Sequence, residues 1–365
     1  MRLPSPTERL RVLLLSNEDE PGTHPGQHDG FARLEEDGSI ESFASAAPKV
    51  IAKSKGGEQE ALREILEMIR AKRPNVIVLL SPQGFRFTEE WFRDVAAVPS
   101  RGILLYWEGD AWSRWSKPIP SETRFSWKAA DVVFTVAIGK QRELIERLGG
   151  RDVRFVPSTY DHISYAQEEA HEPPTRGDNS EVVVIGNWWG NRHFPSRLPG
   201  ARQRLRLVRA LQKDGRIPLV VYGSNWTGRG VRGPVPYEDQ AAVARSALVT
   251  AGWDHFPDYA ASSSDRLPIH LLAGRAHVTT LHPSSEWLPG PEMGLFLEPT
   301  VDAAIGRVRE LLARPREEVL ELGLAAHRWV RHRLSHREFA RYMLGAVDER
   351  LLRQLPGDPW GRLPA

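Results

Sequence analysis

The sequence predicts two α/β domains, each a doubly wound parallel sheet, on three observations. Short apolar runs without alternation recur along both halves, as expected of strands buried on both faces: VLLL, NVIVLL, GILLYW and DVVFTV first, then EVVVI and PLVVY. Helical stretches with apolar residues at i, i+3 and i+4 separate them, clearest in Ala61, Leu62, Ile65, Leu66 and Ile69. Between the two series, Ala166–Ser180 (AQEEAHEPPTRGDNS) is acidic, proline-rich and aperiodic, which is linker composition. A length of 365 residues suits about two domains.

The expected organisation is a Rossmann-like domain over 1–165, a linker over 166–180, and a second Rossmann-like domain over 181–335. Residues 336–365 read as a C-terminal helix and tail that can cross back to the first domain. In order, the first half reads as strand 11–16, a polar loop NEDEPGTHPGQHDG, a short helix from Phe31, helix 60–71 stopped by Pro74, and strand 75–80. Helix 87–95, strands 102–107 and 131–136, helix 140–148 closed by Gly149-Gly150, and strand 152–156 follow. The second half reads as strand 181–185, helix 202–213, strand 218–222, helix 237–245, strand 247–251, helix 268–273 ended by Gly274, and strand 276–280. Helices near 301–312, 316–331 and 335–352 close the chain. Two such domains are expected to face each other across a cleft, with ligands beyond the carboxyl ends of the strands.

Composition narrows the function. Hydrophobic residues make up 41% and charged residues 26%, which is globular. Lys plus Arg number 49 against 47 acids, a balance that argues against a dedicated nucleic-acid binder. With no cysteine, disulfides, thiolate zinc sites and a Cys nucleophile are excluded, and a reducing cytoplasm is the natural compartment. The run Val12–Leu15 is too short for a signal-peptide core, and no window approaches the roughly 18 apolar residues of a membrane span.

The candidate site residues lie in the expected strand-end loops. GNWWGNR places Gly186 and Asn187 where backbone N–H groups can meet an anion, with Arg192 adding charge. YGSNW supplies Tyr222, and Gly223 for a tight turn. SSSDRLPIHLLAG puts Ser263, Ser264 and Arg266 before an apolar helix, a setting for a diphosphate, although Ser264 or Asp265 would equally serve as N-caps. In YWEGDAW, Glu108 and Asp110 are candidate general bases, flanked by Trp107 and Trp112 as a stacking wall for an acceptor. Asp29 is a third candidate base that can instead cap the helix at Phe31, and His28 beside it is the fourth. His327, His332 and His336 read as surface or packing residues. No P-loop, no G-x-S-x-G and no DxD pair with a suitable partner is present, so no metal and no cofactor is expected.

These pieces together resemble the CgeB-like group of GT-B glycosyltransferases, named for a spore maturation protein. The resemblance covers most of the chain in patches: KAADVVFTV and VRFVPSTYD in the first half, then EVVVIGN, LVVYGSNW, SDRLPIHLLAGRAHVTT and HRLSHREFARYML. It implies the GT-B fold and metal-independent transfer of a sugar from a nucleotide-sugar donor to a hydroxyl acceptor, either a small molecule or a glycan. It further implies that Arg266 and the Ser263–Ser264 amides face the donor diphosphate, with Tyr222 and Gly223 near the base. Retaining relatives in the wider GT-B world carry a Glu in the helix before Ala-Gly. Here Ile269 stands five before Gly274, with His270 next, and Glu286 is present where a second carboxylate often falls. Stereochemistry therefore stays open, as do the nucleotide, the sugar and the oligomeric state. The rival readings are a sugar-nucleotide epimerase on the same architecture and a non-catalytic sugar- or nucleotide-binding protein.

Overall fold

A computed structural model describes residues 8–81, 83–99, 102–175, 180–189 and 198–364. The chain divides into two compact units. The first comprises Met1–Pro157 with His336–Gly357, and the second Ser158–Ser335 with Asp358–Pro364.

Unit 1 is a six-stranded sheet of β1 (Arg11–Leu15), β2 (Ser42–Ala46), β3 (Val76–Leu80), β4 (Ile103–Glu108), β5 (Val132–Thr135) and β6 (Asp152–Phe155), in the order β2-β1-β3-β4-β5-β6. Unit 2 repeats the plan with β7 (Ser180–Ile185), β8 (Leu219–Tyr222), β9 (Val231–Gly233), β10 (Ala247–Ala251), β11 (Ala276–Thr280) and β12 (Leu295–Glu298), in the order β12-β11-β10-β7-β8-β9. Every pairing between these strands is parallel. The central strands are buried along their whole length, as their unbroken apolar runs require: β3 reads VIVLL and β10 reads ALVTA, with every residue buried.

In each sheet the order reverses beside the first strand of the unit. The chain leaves β1 toward β2 and then crosses to β3; it leaves β7 toward β8 and β9 and then crosses to β10. These reversals put one switch point between β1 and β3 and another between β7 and β10. Strand-end loops diverge there and leave room for a ligand.

Several elements depart from the sequence expectation. The first helix starts at Pro25, not Phe31, with proline in its first turn, so Asp29 lies inside the helix and caps nothing. It pairs instead with Arg33 at 2.7 Å and Arg337 at 3.5 Å. This helix packs on His336–Gly345, where Gly30 permits a close approach: a Cβ there would sit 2.6 Å from the His336 carbonyl oxygen. The expected helix over 335–352 is two, His336–Gly345 and Glu349–Leu352, the second capped by the Asp348 side chain. The segment expected as a linker opens with a helix, Ala166–Ala170, whose Glu169 is buried. The strands β2, β9 and β12 and the helices Pro48–Lys55 and Ser121–Ala129 are additional. Among the described residues no helix is long and apolar enough to cross a membrane.

Candidate functional site

Unit 2 holds a small recess at the carboxyl edge of its sheet. Its walls come from the loops after β7 (Gly186) and β10 (Gly252, Asp254), and from Ser264 and Arg266 at the start of the helix Arg266–Leu272. The recess therefore sits at the β7/β10 switch point.

Two guanidinium groups dominate it. Arg204 lies in the helix Ala201–Lys213 at a position of the apolar stripe it shares with Ala201, Leu207, Val208 and Leu211. Its Nε donates to the Trp253 carbonyl at 2.5 Å and its Nη1 to the Asn187 carbonyl at 2.9 Å, tying the β7 and β10 loops together. Burial, opposed by the charge of Asp254 and aided by that of Arg266, lowers its pKa to about 10. Arg266 stands beside it. A Cβ on Gly186 would be 3.5 Å from Arg204 Nη1 and 3.8 Å from Arg266 Nε, so both cations border that glycine. Arg266 Nη1 reaches Asp265 at 3.4 Å, while its buried Nε has no hydrogen-bond partner among the described residues. Two cations and an unmatched N–H donor suit an oxyanion.

The anionic counterpart is Asp254, which lines the same recess. Burial would raise its pKa, but the hydrogen bond from His282 (2.9 Å) and the charges of His282 and Arg204 bring it down to about 2. His282 Nδ1 faces the Tyr259 carbonyl at 3.1 Å, so both ring nitrogens have an oxygen acceptor.

The glycine-rich turns form one zipped structure. Gly186 N–H donates to the Tyr222 carbonyl (2.9 Å), Ser224 N–H to Asn187 Oδ1 (2.8 Å) and Trp226 Nε1 to the Gly186 carbonyl (2.5 Å). Gly223, at φ +133°, is packed so closely that a Cβ would lie 2.3 Å from the Gly186 carbonyl oxygen. Of the donor residues expected from sequence, Gly186, Ser264 and Arg266 line the recess. Asn187, Tyr222 and Gly223 brace its β7 wall. Ser263 accepts from Ser158 Oγ through its carbonyl (3.1 Å). Glu286 is exposed outside the lining, and Arg192 lies outside the described residues. Asp265 occupies the N-cap position without a side-chain cap.

In unit 1 the four carboxylate and histidine candidates occupy different settings. Glu108 is fully buried at the end of β4. It accepts from Tyr106 Oη (3.0 Å), Ser81 Oγ (3.4 Å) and Asp110 N–H (3.0 Å). Burial, and then the charge of Asp110, raise its pKa to about 7. Asp110 is ion-paired with Lys117 at 2.8 Å and accepts from Gln83. Trp112 is 4% exposed and belongs to the core, so it offers no open stacking face; Lys117 Nζ sits 4.4 Å from its ring centroid. Trp107 packs edge-on to Phe339 at 5.2 Å.

His28 is placed differently. Its Nε2 donates to Glu18 at 2.8 Å, and the buried Glu18 also accepts from Ser16 Oγ (2.8 Å) and His24 N–H (3.3 Å). Against the upward effect of burial, these contacts hold the Glu18 carboxyl below its usual range. The pair sits directly after β1, at the unit 1 switch point, with the imidazole about a quarter exposed. A carboxylate that fixes one ring nitrogen leaves the other to exchange a proton.

The sequence reading passed over Glu18, Arg204, Asp254 and His277. Arg204 carried a signal: a charge at a stripe position of an amphipathic helix. Glu18 carried none, being one of three acids in the run NEDE.

No protein-family model matches the chain, and no curated protein matches it in sequence. The fold is nevertheless shared with solved structures. HepE of Anabaena in complex with UDP and glucose is similar over 94% of this chain and 99% of its own, with a TM-score of 0.55 and 11% identity. Sucrose-phosphate synthase of Thermosynechococcus elongatus is similar over 95% and 100%, with a TM-score of 0.57 and 13% identity. The E. coli trehalose-6-phosphate protein bound with UDP-2-fluoro glucose is similar over 92% and 98%, with a TM-score of 0.57 and 6% identity. The two parallel six-stranded sheets with flanking helices are thus a GT-B fold.

Proposed function

We propose that the protein is a glycosyltransferase that takes a sugar from a nucleoside diphosphate donor bound in the unit 2 recess. The observation that carries this reading is the adjacent pair Arg204 and Arg266 at the β7/β10 switch point. Two fixed cations match the charge of a diphosphate and the negative charge that grows on it as the glycosidic bond breaks. Because these side chains supply positive charge themselves, transfer requires no divalent metal. UDP and UDP-linked sugars in the similarly folded structures make UDP the first nucleotide to test. The motifs SDRLPIHLLAG and KAADVVFTV favour a place in the CgeB-like group.

The acceptor is bound by unit 1, with His28 as the base and Glu18 as the residue that positions it. Among the candidates, Asp110 is engaged by Lys117 and Gln83, Glu108 is enclosed, and Asp29 is held by two arginines. If the anomeric centre inverts, His28 deprotonates the acceptor hydroxyl as the sugar moves.

Calorimetry with UDP, GDP and dTDP tests the donor site, followed by analysis of products from the matching nucleotide-sugar in the presence and absence of EDTA. Binding of one nucleotide, with metal-independent release of the diphosphate, supports the reading. Conversion to an isomeric nucleotide-sugar points to the epimerase. Binding of free sugar but of no nucleotide points to a binding protein.

A further inference from the structure

The deepest polar side chains of the recess are two histidines that the proposed reaction leaves unused. His270 and His277 both line it and are 1% and 3% exposed. Their rings meet edge-on, with centroids 4.5 Å apart and planes at 64°, and their Nδ1 atoms are 3.1 Å apart. His277 Nδ1 is also 2.9 Å from Thr250 Oγ1, and that hydroxyl is 3.3 Å from the Ala276 carbonyl oxygen. At the far end of the chain of contacts, His270 Nε2 is buried without a partner among the described residues.

The chain of contacts has a direction. The Ala276 carbonyl can only accept, so the Thr250 hydroxyl donates to it. Thr250 Oγ1 then accepts from His277 Nδ1–H, which also leans on the His270 Nδ1 lone pair in a three-centre contact. With His277 Nδ1 unprotonated, either Thr250 O–H and His270 Nδ1–H both aim at its single in-plane lone pair, or the hydroxyl stays on Ala276 and the lone pairs of Thr250 Oγ1 and His277 Nδ1 face each other at 2.9 Å. The first arrangement gives every polar hydrogen of Thr250 and of His277 Nδ1 an acceptor. It places the His270 proton on Nε2, and burial, with the charges of His277 and Arg266, keeps the ring neutral.

We propose that His270 presents Nε2–H to the recess as an uncharged hydrogen-bond donor for a phosphate oxygen of the bound nucleoside diphosphate, with Thr250 and His277 fixing that tautomer. This rests on the donor-site reading above. Arg204 and Arg266 supply the charge, and His270 adds a directional donor without a third cation. A buried N–H with no protein acceptor gains one when an oxyanion enters, so the contact forms only with ligand.

The tautomer is tested in the free, wild-type protein by long-range ¹H–¹⁵N correlation of ¹⁵N-histidine, with the His270 signals identified by their loss in His270→Gln. Protonation on Nε2 is expected, and protonation on Nδ1 overturns the assignment. Binding is tested by calorimetry with UDP and with inorganic pyrophosphate. His270→Phe should weaken both by about 10- to 100-fold, the worth of a hydrogen bond to a charged group. His270→Gln, which keeps an N–H at similar reach, should recover part of the loss. Thr250→Val, remote from the ligand, should turn the single His270 tautomer into a mixture and weaken UDP by a few-fold. Wild-type affinity for pyrophosphate in His270→Phe overturns the phosphate contact and leaves the donor site standing. Failure of the wild type to bind any nucleoside diphosphate overturns both.

Discussion

Arg266 and Arg204 are neighbours with different duties. Arg204 is spent on two backbone carbonyls that join the β7 and β10 loops, whereas Arg266 keeps an unmatched donor. Arg266→Ala should therefore weaken UDP by about 1–3 kcal/mol while leaving the unfolding midpoint nearly unchanged, as read by calorimetry and urea titration. Undiminished affinity would remove Arg266 from the site. In unit 1 the residue to test is His28. Removing a positioned base costs about 10²–10⁴ in rate, so His28→Ala should lower kcat by that amount without changing UDP affinity. Glu18→Gln should lower kcat less, because the ring survives and only its orientation and basicity change. Equal kcat in all three proteins would return the search for a base to Asp110. The sequence did single out His28 and Arg266 by residue type and loop position. It could not rank His28 first, because Glu18 and His28 are ten residues apart and meet only when the helix Pro25–Glu36 turns back over the end of β1.

At the scale of elements, the β7 and β8 turns act as one body because Gly223 lets two backbones touch. Gly223→Ala would place a methyl group 2.3 Å from the Gly186 carbonyl oxygen, at φ +133°. The variant should lose more than about 1 kcal/mol of stability and much of its UDP affinity together, measured by urea unfolding and calorimetry on one preparation. Full stability with full affinity would mean that the two turns move independently. The same scale explains which elements the sequence disclosed. Central strands such as NVIVLL and DVVFTV are buried on both faces and announce themselves as apolar runs. The unanticipated strands β2, β9 and β12 are all at sheet edges. Edge strands have one neighbour: β2 reads SFASA and is mostly half-buried, and β9 is three residues long. No hydrophobic pattern marks β2 or β9, because pairing with an existing strand creates them, whereas β12, LFLE, is apolar but only four residues long.

For the whole molecule, buried titratable groups give the two units opposite responses to pH. The Glu108 carboxyl, ordinarily at 4.5, is raised to about 7 by burial and by Asp110. Between those values the folded protein keeps a proton that the unfolded chain has released. Unit 1 thus loses stability as pH rises through this window, by about 3 kcal/mol in full. His277, ordinarily at 6.5, is lowered to about 4 by burial. The unfolded chain takes up a proton that the folded ring refuses, so unit 2 loses a similar amount as pH falls from about 6.5 to about 4. His270 and His327 are displaced in the same direction by burial and add to it. Hydrogen exchange, corrected for intrinsic rate, should show unit 2 strands less protected at pH 5 than at pH 7 and unit 1 strands more protected. Glu108→Gln should abolish the unit 1 response. Movement of both units in one direction would show that other groups govern the pH dependence.

The sequence by itself determined the architecture: two parallel sheets built from apolar runs, amphipathic helices between them, and glycine-rich turns at strand ends. Those features follow from local periodicity and backbone freedom, which the order of residues states directly. The tertiary structure decided which polar groups meet. Arg204, a charge on the apolar stripe of its helix, gained a role only when that helix turned it toward the β7 and β10 loops. Glu108 looked like an available base until the end of β4 proved fully enclosed, and Trp112 looked like a stacking wall until it was found in the core. His270 and His277, seven residues apart in a helix and a strand, become one hydrogen-bonded chain with Thr250. Their chemistry depends on desolvation and on distances of about 3 Å between residues far apart in sequence, and only the packed fold sets those.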